Sequence, residues 1–301
     1  MPIPNFMIAV LKRLSGALWS SPIVQSPLAA NVLMRLSYIA RRWLQLAPQV
    51  EEIALVHGHR MAFAPNSECY FDMTHGAWEP GVTRLFDSLI KREMVVVDAG
   101  AHIGYYTLLA ARKVGPTGKV YAFEPAPSNY DLLAKNIDLN GYQNVVPVRK
   151  AVSNGQGIVE FFLRPDSLGH SLHPVTLVGG KATSVEAITL DGFFEGEGWP
   201  PVHLVKMDIE GAEPAALEGM AQLLERNSSM FLILEYIPYI LERTKQNPHQ
   251  FLTKLRGLGF TIYVITDKDG PRLLEDNVLQ LPEARAELLC VKKTLSESTA
   301  A

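Results

Sequence analysis

Asp98, Glu124, Asp208 and Glu235 each stand at the end of a short apolar run, and Gly100 and Gly104 follow the first of them. In open α/β sheets ligands sit beyond the carboxyl ends of the strands, so acids at those ends face whatever the sheet binds. Met94 to Thr107 reads MVVVDAGAHIGYYT, a β-branched run that suits a strand buried on both faces of a parallel sheet. The glycines mark a tight turn, and helical spacing from Ile103 to Val114 predicts a helix whose first N–H groups lack internal partners.

The chemistry of the acids selects the ligand. In a dinucleotide fingerprint the middle glycine lets the backbone approach a pyrophosphate, but here that position is His102. Asp98 would repel a diphosphate and suits an ammonium group. The next apolar run, Lys119 to Phe123, ends on Glu124, which can accept two ribose hydroxyls. An amino acid joined to a nucleoside without phosphates is S-adenosylmethionine. The binding set read from these two strand ends is Asp98, Gly100, Ala101, His102, Gly104, Tyr105, Glu124 and Pro125. A purely structural turn is the competing reading, and two acids and two glycines at these offsets weigh against it. A nicotinamide-dependent oxidoreductase is disfavoured by His102 and Asp98.

Val202 to Glu213, VHLVKMDIEGAE, repeats the pattern and delivers Asp208 and Glu210 to the same edge; Met230 to Leu234 delivers Glu235. Lys206 lies inside the strand and needs a partner, because a lysine is rarely buried unpaired. The bland alternative for this cluster is a structural ion-pair network. Glu79, in the loop before the helix predicted over 81–91, is either a pocket-covering residue or a solvated acid at a helix start.

Net charge is −3, yet residues 1–50 hold Lys12, Arg13, Arg35, Arg41 and Arg42 and no acid, so the remainder is more acidic than the total suggests. That balance argues against nucleic acid as a partner. So does the DIEG ending of the fourth sheet strand, which is not the Asn/Asp–Pro–Pro–aromatic turn that holds a flipped base. Two cysteines fit a reducing compartment and no disulfide framework. No apolar run approaches the roughly 18 residues that span a bilayer, so a cytoplasmic protein is expected.

Four segments are expected: a basic amphipathic extension (1–50), a hairpin and lid-like segment (51–93), a catalytic domain (94–293) and a polar tail (294–301). Ile3, Met7, Val10, Leu14 and Leu18, then Val32, Leu36, Ile39 and Trp43, recur at helical spacing. Those helices are read as packing on the main domain or on a second subunit in a homodimer. The alternative is peripheral contact of residues 1–46 with an anionic membrane, in the extreme by a non-catalytic binding protein. Further along, His57–Gly58–His59 is expected as a hairpin turn, and Ser128 with Asp131 as a capping box for a helix to Asn140. Asn144 to Lys150 is the third strand, Asn154–Gly155 turns it into a strand over 158–163, and 165–185 is an irregular loop carrying His170. Ser184 to Leu190 is a short strand, with Asp191 opening a Gly-rich turn.

The runs VVVDAGAHIGYYT, YAFEPAPSNYDLLAKNIDLNG, AVSNGQG, TLDGFF and VKMDIEGAE, spread over about residues 76–265, resemble the FkbM family of S-adenosylmethionine-dependent methyltransferases. The resemblance implies the class I (Rossmann-like) α/β fold, a seven-stranded, mostly parallel sheet with helices on both faces. It implies O-methylation of a sugar, lipid-linked sugar or polyketide-type small molecule. It implies that Asp98, Gly100 and Gly104 line the methionine end, that Glu124 takes the ribose, and that Ala151 and Val152 lie near adenine. Asp208, Glu210 and Gly211 match the family's DxEG turn, and Glu79 falls in its GxWEP-like segment. His102 departs from the family, which often has asparagine there.

Methyl transfer requires an aligned acceptor, excluded water and a proton acceptor. Candidates for the base are Asp208, preferred because it tops a central strand, and His102; Glu210 flanks them, and His170 could close over the substrate. No metal is expected, although Asp208, Glu210 and Glu235 could hold Mg2+ as hard oxygen ligands.

Overall fold

Val95, Val96 and Val97 form the centre of the sheet because a β-branched run buried on both faces satisfies its backbone only between two other strands. The computed structural model describes residues 48, 50–163, 170–172, 181–275 and 285–292. The expected helices of the first 50 residues and the polar tail lie outside them.

The main sheet runs β12 (Gly270–Leu273), β11 (Phe260–Thr266), β13 (Ala286–Lys292), β10 (Met230–Tyr236), β9 (Leu204–Met207), β3 (Val95–Ala99), β4 (Lys119–Phe123) and β5 (Val145–Val148). Strands β10, β9, β3, β4 and β5 are mutually parallel, while β13 is antiparallel to both β10 and β11. This is the expected seven-stranded arrangement with an eighth strand, β12, paired antiparallel on the outer edge of β11. The chain leaves β3 toward β4 on one side and returns at β9 on the other. That reversal makes the crevice between β3 and β9 the ligand position in such a sheet.

Side-chain parity then decides what faces what. Val97, Val205, Met207, Leu232 and Leu234 point to one face, covered by α5 (Leu190–Gly196), α6 (Glu213–Glu218), α7 (Ala221–Arg226) and α9 (Pro248–Gly257). Val96, Ala122, Leu204, Ile233 and Leu289 point to the other, under α2 (Pro80–Leu89), α3 (Tyr105–Val114) and the hairpin β1 (Glu52–Val56)–β2 (His59–Phe63). Asp98, Glu124, Lys206, Asp208, Glu235 and Glu287 share the parity of this second set. One face of one sheet therefore collects the acids.

Several local expectations are corrected. Strand β7 (Gly157–Leu163) does not return along β5; it pairs antiparallel with β8 (Lys181–Ile188) in a separate three-stranded sheet with β6 (Ala151–Val152). Strand β8 starts at Lys181, so the expected 165–185 loop is shorter. The Gly-rich turn at Asp191 is instead the helix α5, whose N-cap Thr189 accepts a hydrogen bond from the Gly192 N–H at 3.0 Å. Helix α4 (Pro127–Leu139) begins at Pro127 with no side-chain cap, so the Ser128–Asp131 box does not form. The proline supplies the first-turn geometry instead. His57 and Gly58 make the hairpin turn at positive φ, but His59 is a buried strand residue whose Nε2 meets Tyr142 Oη at 2.8 Å. Both cysteines are free, as expected, and both are buried.

Candidate cofactor and active site

Two crossing turns build the site. The Gly100 and Ala101 N–H groups both donate to Phe123 O at 2.9 Å, and the Asp208 N–H donates to Ala99 O at 3.0 Å. The turn after β3 is thus tied to the ends of both β4 and β9. Gly100 has φ +84°, and a Cβ there would lie 1.9 Å from Asp208 O. Glycine is required because one turn passes directly over the other. Gly104, the N-cap of α3, is at φ +97°.

His102 also adopts a left-handed conformation, φ +51°, where Asn, Asp and His are the side chains most readily tolerated. A histidine is therefore tolerated in this turn. Its N–H donates to Glu124 Oε2 at 2.9 Å, and the Ala126 N–H donates to Oε1 at 2.9 Å. Glu124 is buried, and burial pushes its carboxyl up to about 7 against these two backbone donors. The Asn129 side chain is a third donor, so of the roughly four acceptor sites of an ionised carboxylate about one stays open.

Asp98 is 1% exposed. Its Oδ2 accepts from Thr107 Oγ1 at 2.6 Å, while Oδ1 has no hydrogen-bond partner among the described residues. Burial raises its pKa against the pull of Lys206 and Thr107. Lys206 stands beside Asp98 in the β3–β9 register and places Nζ 3.0 Å from Asp208 Oδ2 and 4.5 Å from the Tyr106 ring. The partner this buried lysine needs is Asp208. Burial would push the ammonium down, but Asp208, Glu79 and Asp98 outweigh it and hold it charged. Burial likewise works against ionised Asp208, and the charges of Lys206 and Arg285 prevail, holding the carboxyl well below its usual range.

Arg285 extends the network: its guanidinium lies 3.0 Å from Glu79 Oε1, 2.9 Å from Glu235 Oε1 and 3.0 Å from Glu287 Oε1. Glu79, at φ +38° ahead of α2, also accepts from the Tyr106 hydroxyl at 2.8 Å. It is a member of the site network and not a solvated helix-start acid. Asp208, Glu210 and Glu235 each bring a carboxylate oxygen within 4.8 Å of the others.

Other predicted residues stand at different distances from this centre. Tyr105 turns its hydroxyl to His57 Nε2 at 2.8 Å and Thr83 Oγ1 at 3.2 Å, so toward the site it offers backbone only. Ala151 and Val152 are buried in β6. His170 packs edge-on to Phe161, and its neighbour Ser171 donates to Glu210 O at 2.9 Å, which brings Ser171 to the second turn. Thr107, Tyr106, Arg285 and Glu287 were not read from the sequence as site residues. Thr107 sits in the first turn after the glycines and was open to that reading; Arg285 and Glu287 depend on the β10–β13 register, which no local pattern announces.

The model of the methyltransferase FkbM domain matches residues 98–262. Hexuronic acid methyltransferase AglP of Haloferax volcanii is 30% identical over 199 residues, covering 65% of this chain and 79% of that protein. Methyltransferase sdnD of Sordaria araneosa is 31% identical over 159 residues, covering 42% of this chain and 60% of that protein. Among solved structures, an S-adenosylmethionine-dependent O-methyltransferase from Thermotoga maritima aligns at 14% identity over 84% of this chain and 81% of that one, with a TM-score of 0.43. The nicotinamide alternative is thereby set aside. The chain belongs to the FkbM family of methyltransferases, with S-adenosylmethionine as its cofactor.

Proposed function

We propose that the protein methylates an oxygen of a sugar, glycolipid or polyketide-type small molecule. The observation that carries this reading is Asp208 at the carboxyl end of β9 with its Oδ2 3.0 Å from Lys206 Nζ, a charge that favours the ionised carboxylate, beside the turn that follows Asp98. A carboxylate so placed can accept the hydrogen bond of an acceptor hydroxyl and take its proton as the oxygen becomes acidic during attack. The relative AglP is by name a hexuronic acid methyltransferase, and a hexuronic acid offers only oxygen nucleophiles.

When bound, S-adenosylmethionine supplies an electrophilic methyl group. The residues present suit it. Asp98 Oδ1, buried without a hydrogen-bond partner among the described residues, would accept from the ammonium group. Glu124 would accept a ribose hydroxyl through its remaining lone pair. Ala101, His102, Tyr105 and Pro125 would contribute the backbone of the pocket, and Ala151 and Val152 an apolar border for the adenine. Glu79, through Tyr106 and Arg285, would close the acceptor side, with His170 approaching beside Ser171.

The test is methyl transfer from labelled S-adenosylmethionine to a panel of glucuronic-acid-containing oligosaccharides and hydroxylated lipids. Oxygen-linked methyl incorporation is expected, falling by about 10²-fold or more in Asp208→Asn with cofactor affinity retained. Transfer confined to nitrogen acceptors, or full turnover by Asp208→Asn, would sink the proposal.

A further inference from the structure

We propose that Asp208, Glu210 and Glu235 form a binding site for a divalent cation of the Mg2+ or Mn2+ class. Their carboxylate oxygens all lie within 4.8 Å of one another. Opposite oxygens around Mg2+ are about 4 Å apart and around Ca2+ about 5 Å, from metal–oxygen distances of about 2.1 and 2.3–2.6 Å. Adjacent oxygens around Mg2+ are closer still, about 3 Å, so side-chain rotations of about 1–2 Å would bring the three carboxylates onto an ion. The donor set is all oxygen, which selects hard cations over zinc or copper.

A second feature points into the same space. Glu235 is 1% exposed, yet its Oε2 has no hydrogen-bond partner among the described residues. Oε1 lies 2.9 Å from Arg285 Nε, an ion pair outside hydrogen-bond angles. The Glu235 carboxyl faces those of Asp208 and Glu210, and buried carboxylates facing one another cost free energy that an ion between them removes. Two bases fix the acids: Lys206 engages Oδ2 of Asp208, and Arg285 engages Oε1 of Glu235. Such fixed contacts are what orient carboxylates that bind a metal.

The backbone supports the same convergence. Parity on β9 and β10 sends Asp208 and Glu235 to one face, and Glu210, at φ +54°, folds the following turn back over them. Ser171 Oγ pins that turn through the Glu210 carbonyl at 2.9 Å. An ion here would have coordination positions left for oxygens of the acceptor and would lower the pKa of a hydroxyl bound to it. That role rests on the O-methylation proposed above; the binding itself does not.

The decisive experiment is a Mn2+ titration of the full, metal-stripped chain followed by electron paramagnetic resonance, without donor or acceptor. One Mn2+ per chain is expected with a dissociation constant below about 1 mM, displaced by Mg2+. Glu235→Gln and, on the more open turn, Glu210→Gln should each weaken it by about tenfold or more. Glu186→Gln, on β8 of the other sheet, should leave it unchanged. Circular dichroism confirms that each variant is folded, and Glu210→Gln decides the matter if Glu235→Gln is not. No Mn2+ binding by the folded wild type, or wild-type affinity in the folded ligand variants, overturns the site and leaves a proton shared between Asp208 and Glu235. S-adenosylmethionine binding, measured on the same stripped sample, separates failure of this site from failure of the functional reading.

Discussion

Glu124 is asked to do two things that conflict. It is buried while holding the His102 and Ala126 N–H groups, and in the role proposed for it, it must be ionised to receive a ribose hydroxyl at full strength. Burial, with Asp98 nearby, lifts its folded value to about 7, above the ordinary carboxylate value it has when unfolded. Ionisation of the unfolded chain therefore begins first as pH rises. Below about pH 4.5 the group costs nothing; through the window up to about 7 it removes up to about 3 kcal/mol, and above that the loss is constant. Urea unfolding of wild type and Glu124→Gln at pH 5 and pH 8 should show the difference shifting toward the variant at the higher pH. A pH-independent difference would mean that Glu124 titrates normally. Lys206 carries the opposite risk. Replacing it with Met strands Asp208 beside Asp98, and a loss of about 3 kcal/mol is expected by the same denaturation measurement.

At the level of elements, the crossing of the β3 and β9 turns is the least forgiving feature. Gly100→Ala must adopt positive φ and also place Cβ 1.9 Å from Asp208 O, whereas Gly141→Ala, at φ +67° with nothing within 4 Å, meets strain alone. The second should cost about 1 kcal/mol. The first should cost at least about 3 kcal/mol and loosen cofactor binding; equal losses in the two variants would mean that the turns can part. The turns were legible in the sequence because strand, acid and glycine are neighbours along the chain. The partner of β7 was not, since Asn154–Gly155 looks like a hairpin turn and nothing local reveals that β8 is the strand it meets. Arg285 was hidden for the same reason: its place beside Glu235 comes from the antiparallel β10–β13 register, many residues away in sequence. The capping box failed where Pro127 had already set the helix start.

Across the whole molecule, one sheet face gathers the site from Glu79 to Glu287, and α2, α3 and the hairpin close over it. No helix among the described residues is long and apolar enough to cross a membrane. Because the site ties β3, β4, β9, β10 and β13 together, a bound cofactor should stabilise the fold as a unit. At a hundred times its dissociation constant it adds about 2.7 kcal/mol, raising Tm by roughly 5–10 °C in differential scanning fluorimetry. An unchanged Tm at saturation would argue that the cofactor bridges fewer strands. The central claim is that Asp98 and Glu124 read the two ends of S-adenosylmethionine, and calorimetric titration tests it most directly. Folded wild type should bind S-adenosylmethionine and its demethylated product at one per chain, with affinity lowered by at least about tenfold in Asp98→Asn and in Glu124→Gln. Undiminished binding by both variants, or none by the folded wild type, would contradict the site described.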